Sequence, residues 1–149
     1  MLMTGHSSGA TAGVTQDLPG TPTRRRTLRA TAMLIAAAAT SMVWLLAHAA
    51  GTSFTLMASG KTLTIGLPAV IGFTLWFSGL GWITLALLER YSGSAAKTWT
   101  RLAAGVLLLS LVPIFAEHAS AGTRTALLLS HLTVAAVLIP VFRHTAKGR

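Results

Sequence analysis

The chain has 149 residues, 52% of them hydrophobic and only 10% charged, and its mean hydropathy is +0.65. A soluble domain carries about 25% charged residues, so the composition excludes an ordinary water-soluble globule, and the absence of cysteine excludes a disulfide framework and thiol redox chemistry. The net charge of +9 does not mark a nucleic-acid reader, because the basic residues fall between apolar blocks and form no patch on a soluble face.

Residues 1–27 read as a disordered tail. The stretch "MLMTGHSSGATAGVTQDLPGTPT" shows no helical or strand period and carries one charge, Asp17, too little apolar surface to offset its ordering entropy. Arg24, Arg25, Arg26 and Arg29 flank the first apolar block. Four apolar blocks follow, and the spans are placed at about residues 30–50, 63–88, 99–117 and 125–142. A spanning helix needs about 20 mostly apolar residues. The second block is long enough to tilt, and the third reaches span length only with Trp99 at its cytoplasmic interface as an anchor. Helices are required because a lone strand leaves its backbone unsatisfied in lipid. Between the first two blocks, "SFTLMASGKTLTI" alternates in part around Ser59–Gly60, which suggests a short extracytoplasmic β-hairpin-like loop, with an irregular loop as the alternative. The expected fold is thus an all-α membrane bundle of four transmembrane helices over residues 28–145, with a short tail at 146–149.

Charge sets the threading. Arg24, Arg25, Arg26, Arg29, Arg90, Lys97, Arg101, Arg143, Lys147 and Arg149 fall on one side, and Lys61 and Arg124 on the other. Cytoplasmic flanks carry the Lys/Arg excess, so both termini are expected in the cytoplasm, with the protein multi-pass in a bacterial cytoplasmic (inner) membrane. "TRRRTLRATAMLIAAAAT…LLAHAAG" also looks like an export signal with an A-x-A site at Ala47–Ala49. Its apolar block exceeds the usual length of about 7–15 residues and further spans follow, so the first helix is read as uncleaved.

Helices in lipid associate through small residues. Ala36–Ala39 and Ser41 in the first block are plausible contact lines, as are Gly72 and Gly79 on one face of the second, with Ser78 and Gly81 nearby. Pro113 and Pro140 lie inside helices and predict kinks.

Ionisable groups at membrane depth are functional candidates. The threading places His48, Glu117, His118 and His131 in the outer third. One reading is a metal or haem site drawing on these side chains. The other is packing, with a neutral His131 bonded to Ser41 or to a carbonyl of another helix. At the cytoplasmic corner, Glu89 is expected to pair with Arg101 across the short loop. None of the three acids, Asp17, Glu89 and Glu117, lies well inside a span, which counts against a proton-coupled transporter. Nucleophile-elbow, phosphate-loop, zinc-protease and dinucleotide motifs are missing.

The phrases "VWLLAHAAG" (43–51), "GLGWITLALLER" (79–90), "TWTRLAAGVLLLSL" (98–111) and "HLTVAAVLIP" (131–140) together resemble an actinobacterial family of small four-helix membrane proteins of unknown function. The resemblance covers residues 28–145 and implies fold and localisation but no activity. The expected function is that of a non-enzymatic membrane subunit or interaction module. Its partners would be the lipid bilayer and either a second copy or another membrane protein, not nucleic acid. No cofactor is expected. A haem- or metal-binding redox protein is the alternative, and a small transporter ranks third.

Overall fold

In the computed structural model, residues 21–58, 61–116 and 120–146 are described. Four helices carry the fold: α1 (Pro22–Ala49), α2 (Leu67–Tyr91), α3 (Ala95–Ala116) and α4 (Ala121–Thr145). All four are long and apolar enough to cross a membrane. Between α1 and α2, two four-residue strands, β1 (Thr55–Ala58) and β2 (Lys61–Thr64), pair antiparallel from Thr55↔Thr64 to Ala58↔Lys61. The turn positions Ser59 and Gly60 lie outside the described residues, as do most of the expected tail (1–20) and residues 147–149.

Helix ends depart from the apolar blocks because caps, not hydropathy, decide them. α1 begins at Pro22, inside the expected tail. Thr21 accepts a hydrogen bond from the Arg24 amide at 3.4 Å, and proline at the first helical position has its φ already set. The 28-residue helix is therefore about 42 Å long at 1.5 Å per residue, longer than a hydrocarbon core of about 30 Å. At its other end the Gly51 amide donates to His48 O and the Thr52 amide to Ala47 O, both at 3.0 Å. Gly51 has φ +85°. This pair of bonds around a left-handed glycine is the Schellman termination. α2 starts at Leu67, later than the apolar block, because Gly66–Leu67–Pro68 supplies an N-cap and an early proline after β2. Ser120 caps α4 by accepting from the Thr123 amide at 3.2 Å. Both α3 and α4 continue past their interior prolines, Pro113 and Pro140.

Helix α1 packs most extensively on α4; α4 packs next on α3, and α1 on α2. The core holds Ala32, Ala36, Leu85, Trp99, Leu138 and Phe142. Trp99, expected as an interfacial anchor, is only 6% exposed. Its ring sits 5.4 Å from that of Phe142 and covers Gly81, where a Cβ would lie 3.1 Å from the indole. Small residues on α2 admit the indole, so it packs between helices. Large apolar side chains such as Leu34, Phe73, Trp76, Phe77, Leu108 and Leu109 are exposed. Such an outward apolar surface suits lipid as solvent.

Candidate functional site

The buried stripe of α1 is Arg29, Ala32, Ala36, Ala37 and Thr40. Arg29, Ala32, Ala36 and Thr40 recur three or four residues apart, which puts them on one helical face, with Ala37 at its edge. Four are small and admit neighbouring helices; the fifth carries a guanidinium. Arg29 is 4% exposed. Its Nη2 donates to Glu89 Oε1 of α2 at 2.6 Å and its Nη1 to Oε2 at 3.4 Å. Nε donates to Thr145 Oγ1 at 3.0 Å, and Nη2 also to the Thr145 carbonyl at 2.8 Å. Thr145 in turn donates its hydroxyl proton to Val141 O at 2.8 Å. One side chain thus ties the start of α1 to the ends of α2 and α4. Arginine suits this place because its planar fork meets a carboxylate with two donors and still has others for the threonine.

The expected corner had Glu89 facing Arg101. The structure brings Arg29 onto Glu89 and leaves Arg101 exposed. Sequence reasoning counted Arg29 only as a flanking charge. The missed signal was its phase: Arg29 lies on the same helical face as Ala32, Ala36 and Thr40, whereas Arg24 and Arg26 are exposed. Chemically, this clamp holds charge in place.

The expected outer cluster is reached only in part. Glu117 and His118 lie outside the described residues. His48 is exposed and stacks on Trp44, with ring centroids 4.8 Å apart and planes 9° apart. Trp44 also stacks on Phe54 and donates its indole proton to Ile65 O at 3.0 Å. His131 is half-buried, and its Nδ1 donates to Leu127 O at 2.8 Å. That carbonyl belongs to its own helix, and Ser41 spends its hydroxyl on Ala37 O. Among the described residues there is no group of three or more His, Cys, Asp or Glu placed to hold a metal ion. Near this end, a groove of ≈ 450 Å³ runs between α1 and α4, bordered by Val43, Ala47, Gly122, Thr125 and Leu129.

The two expected packing glycines differ. Gly79 faces α1, with Met33 Cε 4.0 Å from where its Cβ would be. At Gly72 a Cβ would meet no atom of the other described helices within 4 Å. It lies in an open depression with Ala69, Phe73 and Trp76.

A family model described as a family of unknown function (DUF6069) matches residues 20–148. No curated protein and no solved structure matches the chain.

Proposed function

The chain belongs to the DUF6069 family of unknown function, and from that premise we propose that it is a small polytopic protein of the bacterial inner membrane, with both termini cytoplasmic, acting as a non-enzymatic subunit or interaction module. The actinobacterial kinship and the extracytoplasmic placement of the β1–β2 loop belong to the same proposal. The observation that carries the interaction role is the open depression at Gly72. A small residue between exposed Phe73 and Trp76 lets another helix approach closely, and close packing of small residues is what associates helices in lipid. The first partner to test is a second copy, since identical surfaces meeting across a two-fold axis need no other component. Gly79, turned toward α1, serves the inside of the bundle.

Single-molecule photobleaching of the labelled chain in liposomes tests this. The native chain associates, and Gly72→Leu abolishes association while its helical content and thermal unfolding stay unchanged. Equal association of both forms would remove the Gly72 face from the proposal.

A further inference from the structure

Threading four antiparallel helices places the start of α1, the end of α2, the start of α3 and the end of α4 at one end of the bundle. The Arg29 contacts with Glu89 and Thr145 and the Trp99–Phe142 packing join these four ends directly. Arg24, Arg25, Arg26, Arg90, Lys97, Arg101 and Arg143 gather there around the Arg29–Glu89 pair. Glu89 is the one carboxylate side chain among the described residues, so cations far outnumber it at this end. Six of these seven cations are exposed, Arg25 being half-buried. The first turns of α1 and α3 contain no acid, so the positive ends of two helix dipoles add to the same field.

Depth decides what this field meets. Arg29 borders the 20-residue apolar stretch of α1, and Arg24–Arg26 lie three to five residues further out, about 5–8 Å along the helix. That matches the headgroup layer, about 5–7 Å thick on each side of the hydrocarbon. Tyr91, 77% exposed, lies beneath the Arg90 guanidinium, 5.7 Å from ring centroid to Cζ. An exposed aromatic at this level is typical of the membrane–water interface.

We infer that this basic collar binds the phosphate headgroups of anionic phospholipids in the adjoining leaflet. The inference rests on the reading of the four helices as membrane spans. Cations on four separate helix ends at headgroup depth fit many small anions side by side better than one soluble polyanion.

The test reconstitutes the full chain into mixed phosphatidylcholine and phosphatidylglycerol vesicles. Electron spin resonance then compares the motionally restricted fraction of spin-labelled forms of each lipid. Phosphatidylglycerol is preferred, and added sodium chloride weakens the preference. Neutralising one engaged cation lowers it about fivefold, the strength of one basic residue near an anionic surface. Arg24→Gln/Arg25→Gln/Arg26→Gln and, separately, Lys97→Gln/Arg101→Gln each lower it. The second variant keeps the α1 arginines, so the N-terminal orienting charge is the same as in the native chain. Lys61→Gln, on the other side, leaves the preference intact. Equal restriction of both lipids, or a preference that survives both collar variants, overturns the inference. So does a preference that inorganic phosphate abolishes and chloride of the same ionic strength does not, which would point to a free phosphate site. Failure of the chain to enter the bilayer at all would instead defeat the reading of the helices as spans.

Discussion

Removing the Arg29 guanidinium breaks the ion pair that ties Glu89 of α2, whose side chain is 11% exposed, to α1. Breaking such a buried pair from one side costs about 3–5 kcal/mol, whereas replacing both partners by apolar groups is often near neutral. Arg29→Met and Glu89→Leu are therefore each expected to lower stability strongly in detergent unfolding titrations. Arg29→Met/Glu89→Leu is expected to recover most of the loss, the remainder reflecting Thr145. Additive losses in that cycle would show that the two side chains are not coupled. His131 behaves differently. It bonds to a carbonyl of its own helix, and interhelical bonds in membranes average only about 0.6 kcal/mol. His131→Phe should cost less than about 1 kcal/mol. A larger loss, or stoichiometric metal in the purified native protein that disappears in this variant, would move His131 from packing to chemistry.

Among the elements, the helix junctions depend on a few backbone positions. Gly51 ends α1 with φ +85°, a conformation that costs an L-residue about 1–2 kcal/mol, so Gly51→Ala should lower thermal stability by about that amount. Phe54 has φ 40°, which is strained for a bulky side chain; its burial against Trp44 holds it there. At the α2–α3 contact, Gly81→Leu drives a side chain into Trp99, 3.1 Å from the new Cβ. Overpacking of this kind costs about 1–3 kcal/mol. Thermal unfolding of Gly81→Leu and Gly72→Leu in the same detergent should separate an inward glycine from an outward one: the first variant melts earlier and the second melts with the native chain. At the other end, a Cβ at Gly122 would lie 2.8 Å from Thr52 Oγ1, so α4 packs closely on Thr52 because residue 122 has no side chain.

The whole molecule is asymmetric from end to end, with the buried clamp and most Lys and Arg at one end. The positive-inside rule then predicts that end to be cytoplasmic. The chain has no cysteine, so single cysteines introduced at Thr21 and at Thr64 can be labelled without background. A membrane-impermeant maleimide added to intact cells should modify Thr64→Cys, and Thr21→Cys only after the cells are opened. The reverse pattern would invert the threading.

Four helices, their order and the basic asymmetry of their ends were legible in the sequence, because span length and charge are local properties of a chain in lipid. Helix starts were less so: α1 begins at Pro22 and not near residue 30, since a threonine cap and a proline outrank hydropathy at a boundary. The Arg29 clamp and the burial of Trp99 were decided only by the tertiary structure. Both depend on which face of one helix meets which face of another. In an apolar chain that choice follows from small residues on facing helices and from the partners of buried charges, which one strand of sequence does not bring together.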